Sequence, residues 1–254
     1  MLFKKQKIAA KKSGASSSKL KYSRVLLKIS GEVLGGELEN GIDFKFLNKL
    51  AKEIAEVKKT GVELAIVIGG GNYWRFRDFQ HSNLPRVDSD YLGMMATVFN
   101  SVSLKSELNA IGCPAEVYSA LSINQIAEPY LQRKALADLK AGKIVICAGG
   151  TGNPFCTTDS AAALRSGELG CQLLMKATNV DFVYDSDPRK NPKAKPYKTI
   201  SYQEVLEKRL GVMDLGAIAT CMEAKMPISI FNLTKSGNIK RVLFGEPVGT
   251  IVKS

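Results

Sequence analysis

The sequence predicts an α/β fold, a three-layer α/β/α sandwich around a mainly parallel sheet. Three observations predict it. Apolar runs of four to six residues recur along the chain, segments of helical period separate them, and glycine-rich turns follow several runs directly. Short apolar strands alternating with helices imply parallel pairing, helices on both sheet faces and right-handed crossovers.

The elements follow in order. Arg24–Ile29 (RVLLKI) is the first strand and ends at Ser30-Gly31. Asp43 caps the next helix, where Leu47, Leu50, Ile54 and Val57 form one apolar stripe and Gly61 closes the end. Glu63–Ile68 (ELAIVI) is a buried strand running into Gly69-Gly70-Gly71. A long helix is expected over Ser89–Asn109, and Ala115–Ser119 is the third strand. Another helix ends near Gly142, before Lys143–Ala148 (KIVICA) and Gly149-Gly150-Thr151-Gly152. Leu173–Lys176 and Phe182–Tyr184 read as strands, and the Pro- and Lys-rich stretch Asp187–Lys198 as an exposed loop. Helices are expected at Tyr202–Arg209 and Asp214–Glu223, and Ile228–Phe231 and Thr250–Lys253 close the sheet.

Composition narrows the function classes. The chain has 254 residues, 45% of them hydrophobic, enough for one sizeable core. No apolar run reaches the roughly 20 residues of a membrane span, and none near the N-terminus makes a signal-peptide core. A cytoplasmic protein is the expectation. The five cysteines contain no C-x-x-C pair, which disfavours a disulfide framework or a zinc site. One histidine, His81, leaves little room for a triad or a multi-histidine metal centre. Net charge is +12, yet residues 1–24 alone hold eight Lys or Arg and no acid. Residues 1–21 therefore read as a basic, disordered tail, either a solubilising extension or a contact for nucleic acid or anionic lipid.

Three turns sit where an open parallel sheet binds ligands, beyond the C-terminal strand ends. They are Lys28-Ile29-Ser30-Gly31, Gly69-Gly70-Gly71-Asn72 and Gly149-Gly150-Thr151-Gly152-Asn153-Pro154. Glycine lets backbone N–H groups approach and cradle an anion such as phosphate. The chain has neither G-x-x-x-x-G-K-[ST] nor G-x-G-x-x-G, which counts against P-loop kinases, dinucleotide dehydrogenases and protein kinases. Lys28 reads as the one charge inside an apolar strand. A buried ammonium is costly, so it must pair or point into a ligand cleft.

Five segments carry a resemblance: KISGE at 28–32, IGGGNYWR at 68–75, RVDSDYLGMMAT at 86–97, GGTGNPFCTTDSAAALR at 149–165 and KATNVDFVYDSDP at 176–188. With LGVMDLGAI at 210–218, they resemble the bacterial uridylate kinases of the amino acid kinase fold family. The resemblance covers about residues 22–254. The GNPFxTTDSAA block is specific to that branch, whereas the KxSG and GGG elements are shared with acetylglutamate and aspartate kinases. It implies one kinase domain over 22–254, its N-terminal half mainly on the UMP side and its C-terminal half mainly on the ATP side. It implies transfer of the γ-phosphoryl group of ATP to UMP with Mg²⁺, in pyrimidine nucleotide biosynthesis. By resemblance, Lys28, Ile29, Ser30, Gly31, Gly71, Arg75, Thr178, Asn179, Tyr184 and Asp187 serve ATP. Gly70, Asp90, Thr151, Gly152, Asn153, Pro154, Phe155, Cys156, Thr157 and Thr158 serve UMP. On the chemistry of phosphoryl transfer, Lys28 can bridge the transferring group as a point charge and Asp159 can orient Lys28 or a hydrated Mg²⁺, which makes them the expected catalytic pair, with no direct protein ligand to the metal expected. A homohexamer, GTP as activator and UTP as inhibitor are also implied.

Structural readings stand beside these. Asp159 could cap a helix starting at Ser160, Asp90 could answer a helix dipole, Tyr184 could be core, Arg75 could be a loop residue and Asp187 could initiate a turn. The chain also departs from the family at Phe76-Arg77 and Phe182, where glycine is usual, and at Gln172, where many members carry an acid. An amino acid or carbamate kinase on the same fold, and a nucleotide-sensing or nucleic-acid-binding protein, are the alternatives.

Overall fold

The computed structural model describes residues 20–38, 40–79, 83–188 and 190–254. In chain order the elements begin with β1 (Arg24–Ile29), α1 (Gly31–Leu34), α2 (Phe44–Lys58), β2 (Glu63–Ile68), α3 (Arg86–Ala110) and β3 (Ala115–Ser119). Next come β4 (Glu128–Pro129), α4 (Gln132–Lys140), β5 (Ile144–Ala148), α5 (Thr158–Glu168), β6 (Leu173–Thr178) and β7 (Val183–Tyr184). The chain ends with β8 (Pro196–Tyr197), β9 (Thr199–Ser201), α6 (Tyr202–Glu207), α7 (Leu215–Glu223), β10 (Ile228–Asn232), α8 (Asn238–Leu243) and β11 (Thr250–Lys253). A 3-10 turn spans Phe76–Phe79.

Nine strands form one sheet in the order β4-β3-β5-β2-β1-β6-β10-β11-β9. Neighbours are parallel except β10 and β11. Strand alternation makes the two helix layers. On β1, Val25, Leu27 and Ile29 pack with residues of α2, α3 and α8, whereas Leu26 packs with residues of α4, α5, α6 and α7. Both faces of the central strands are thus buried, which explains why they read as continuous apolar runs. On α2, Leu47, Leu50, Ile54 and Val57 are buried as the stripe requires. Its cap is Asp43, whose Oδ1 accepts from Lys45 N at 2.9 Å and Phe46 N at 3.2 Å.

Several boundaries differ from the sequence expectation. The long helix starts at Arg86, a turn earlier than Ser89, because Pro85 supplies the carbonyl that Ser89 N donates to. Phe182–Tyr184 does not join the main sheet. Val183 and Tyr184 pair antiparallel with Tyr197 and Pro196, so the expected 187–198 loop contributes one side of a small hairpin. The helix expected to reach Arg209 stops at Glu207, and Arg209 takes a left-handed φ of 48°. Leu20 and Lys21, counted with the basic tail, belong to the fold: Leu20 packs on the core and Lys21 N donates to Leu243 O. The remainder of that tail, residues 1–19, and His81 lie outside the described residues.

Candidate active site

The three glycine turns close β1, β2 and β5, which are neighbours in the sheet. The first two meet backbone on backbone. A Cβ on Gly31 would stand 2.4 Å from Gly69 O and 2.7 Å from Gly71 N, and one on Gly70 would stand 2.6 Å from Gly93 O. Only glycine fits at either place. Buried amides on α3 and the second turn fix this arrangement. Asn100 donates to Gly69 O at 2.7 Å and exchanges hydrogen bonds with Asn72, which also donates to Gly41 O. One helical turn earlier, Thr97 Oγ1 accepts from Gly149 N at 2.8 Å. A single helix therefore positions the turns after β2 and β5. Gly149, Gly150 and Gly152 all have left-handed φ, and so does Phe155, at 63°.

Lys28 lies on the β1 face that packs against α5. It ion-pairs with Asp159 at 2.9 Å. It is not the only charge inside an apolar strand, as the sequence suggested. Lys176 is its register partner on β6 and sits 2.6 Å from the other oxygen of Asp159. The carboxylate stands in the first turn of α5, between two ammonium groups on adjacent strands. Two attractions under 3 Å outweigh one like-charge repulsion across strands about 5 Å apart. Burial alone would push the Asp159 carboxyl up, but Lys28 and Lys176 hold it below its ordinary value. Burial pushes Lys176 down, Lys28 adds to that, and Asp159 and Asp214 offset part of it. Lys176 also donates to Val212 O at 2.5 Å.

Asp159 does not cap α5. Thr157 does, its hydroxyl accepting from Asp159 N at 3.0 Å and Ser160 N at 3.3 Å. This leaves both Asp159 oxygens to the lysines. Thr157 and Ser160 in turn donate to Asp214, the cap of α7, so one carboxylate ties two helix starts together.

A cleft of about 600 Å³ opens at the C-terminal ends of β1 and β6. Lys28, Ser30, Thr178 and Asn179 line it, joined by Lys176, Glu32 and Thr234. Gly71 and Arg75 stand beside it: Arg75 donates to Gly71 O at 2.7 Å and pairs with Glu32, which lines the cleft. Tyr184 and Asp187 are on and beyond the β7 strand, away from the cleft lining. Of the residues assigned to UMP, Thr151 through Thr157 lie in the β5–α5 connection and Thr158 opens α5. Asp90 reaches them from α3, its Oδ2 accepting from Phe155 N at 2.8 Å and its Oδ1 pairing with Arg86. Gln172 replaces an acid with a neutral acceptor: its Oε1 takes Ser23 N at 2.6 Å and anchors the start of β1.

Residues 23–232 match the amino acid kinase family. A chloroplastic uridylate kinase of Arabidopsis thaliana, PUMPKIN, is 47% identical over 240 residues, covering 94% of this chain and 71% of that protein. The chain belongs to the amino acid kinase family. Solved relatives share the architecture. The UMP kinase of Bacillus anthracis superposes with a TM-score of 0.89 at 35% identity, over 91% of this chain and 96% of that one. That of Ureaplasma parvum gives 0.87 at 34% identity, over 92% and 100%. The resemblance carried by the sequence motifs is borne out, and so is the fold class. What the sequence reading missed within this family site is Lys176, Asp214 and the Asn72–Asn100 amide pair. Lys176 had a signal, since it alternates with Leu174 on one face of its strand.

Proposed function

We propose that the protein is a UMP kinase that transfers the γ-phosphoryl group of ATP to UMP, giving UDP and ADP. The observation that carries the chemistry is the Asp159 carboxylate held between Lys28 and Lys176 at the mouth of the cleft. The relatives named uridylate or UMP kinase support the choice of acceptor. Phosphoryl transfer needs in-line positioning and neutralisation of spreading negative charge. Lys28 and Lys176 supply two fixed positive charges to the transferring group, and Asp159 pairs with both and fixes their positions. The acceptor oxygen of UMP is already anionic, so no general base is required. Ile29, Ser30, Gly31 and Gly71 offer backbone to the donor phosphates, with Arg75 beside them. Thr178, Asn179, Tyr184 and Asp187 take the adenosine side. Gly70, Asp90 and Thr151–Thr158 take UMP.

Asp159 commits both oxygens to ammonium groups, so the donor set suits Mg²⁺ brought on the triphosphate and its water. Such an ion would supply charge neutralisation at the phosphates, while Lys28 and Lys176 provide the protein's own positive charge. We read residues 22–254 as one kinase domain acting in the cytoplasm in pyrimidine nucleotide synthesis, regulated by GTP and UTP. A homohexamer is part of this reading. Met95 and Phe99 on α3, 54% and 57% exposed, are apolar side chains that a second copy would cover. The basic tail is read as a solubilising extension; salt-sensitive nucleic-acid binding that is lost on its removal would give it a binding role instead.

The test is ADP release with MgATP and a panel of acceptors: UMP, CMP, AMP, N-acetylglutamate, aspartate and carbamate. UMP is expected to be turned over far faster than the others. Turnover of an amino acid or carbamate in preference to UMP would replace this reading with another member of the family.

A further inference from the structure

We propose that Phe76, Arg86 and Phe155 form a clamp that holds the β5–α5 loop against Asp90, with Phe76 a positioning residue for the acceptor. The proposal deepens the UMP kinase reading, because it rests on that loop and Asp90 taking the acceptor nucleotide.

Phe155 has a left-handed φ of 63°, and its side chain is 70% exposed. A non-glycine residue in that region is strained and persists only where its surroundings fix it. Burial does not fix it. Its N–H is held by Asp90 Oδ2 at 2.8 Å. Its ring lies 5.7 Å from the Arg86 guanidinium, which lies 4.4 Å from the ring of Phe76. Arg86 is also paired with Asp90 Oδ1 at 2.8 Å. One guanidinium thus bridges two aromatic rings while its carboxylate partner holds the strained residue. Such contacts are attractive when a cation lies over a ring face. Removing Phe76 takes away the nearer ring, frees Arg86 to move and loosens both restraints on Phe155. None of these contacts involves Lys28, Asp159 or Lys176, so binding should suffer more than turnover.

Two measurements on the full-length protein test this. The first needs no ligand. Chymotrypsin cleaves after Phe155 only when the loop opens locally, so the rate of appearance of the fragment ending there reports the clamp. The second is the KM for UMP set against kcat. Phe76→Ala is expected to raise both the cleavage rate and KM by about three- to fivefold, with a smaller change in kcat. Phe76→Tyr, which keeps the ring, should match the unaltered protein in both. Unchanged cleavage in Phe76→Ala, a loss confined to kcat, or Phe76→Tyr behaving like Phe76→Ala would each overturn the proposal. So would faster cleavage with an unchanged KM. If the unaltered protein made no UDP, the UMP kinase reading would fail on its own, and cleavage would still decide whether the clamp exists.

Discussion

Asp159 is worth more as a spacer of charges than as an isolated acid. Replacing it with Asn leaves two buried ammonium groups facing each other across adjacent strands. Losing one partner from a buried charge cluster costs about 3–5 kcal/mol, so Asp159→Asn should lower the melting temperature clearly at neutral pH. The sign with pH follows from its lowered carboxyl pKa. The stabilisation is fully present above the ordinary value of 3.8 and is lost as pH falls through the lower folded value. The gap in melting temperature between Asp159→Asn and the unaltered protein should therefore close only in strong acid. Lys176 sets the other side. Its pKa is lowered from 10.5, so its charge is lost, and kcat falls, as pH rises through a value below 10.5. Lys176→Arg keeps a charge at those pH values and should move that alkaline limb upward in a kcat–pH profile. Lys28 and Asp159 were legible in the sequence because one is a charge in an apolar run and the other sits in a specific block. For Lys176 the local pattern showed a charge on the face of Leu174, but its pairing with Asp159 beside Lys28 depends on the register of β1 against β6, which no local pattern contains.

The elements place these residues through contacts between backbones. The turns after β1, β2 and β5 were readable as glycine-rich ends of strands. That the first two touch each other, with Gly31 packed on Gly69 and Gly71, was not, since strand order is a property of the whole sheet. The role of α3 was similarly hidden. Its apolar residues announce a helix, but Thr97 and Asn100 do the anchoring, and polar side chains inside a helix carry no periodic signal. Asn100→Ala would leave Gly69 O and the Asn72 amide without their partner. Unsatisfied buried groups of this kind cost about 1–3 kcal/mol. The expected outcome is a lower melting temperature together with weaker ATP binding by calorimetry. Unchanged ATP affinity would separate α3 from the donor turn.

Over the whole molecule, the long strands were legible because both faces of the sheet are covered, and continuous apolar runs follow from that. The short strands β4, β8 and β9 were not, because two or three residues make no pattern and pairing alone defines them. The β7–β8 hairpin shows the same limit, with half of it hidden in a Pro- and Lys-rich stretch. Around this frame, the sheet's C-terminal edge gathers the cleft, the two lysines and the β5–α5 loop in one place. On the proposed function, this edge moves a γ-phosphoryl group from ATP to UMP under the control of two lysines and one aspartate. Its most direct test is to follow γ-phosphate-labelled ATP with UMP and Mg²⁺, using the unaltered protein and Lys28→Ala. The expected result is label in the β-phosphate of UDP, and a rate lower by about two orders of magnitude or more in Lys28→Ala. Label appearing only as inorganic phosphate, or equal rates for the two proteins, would contradict it.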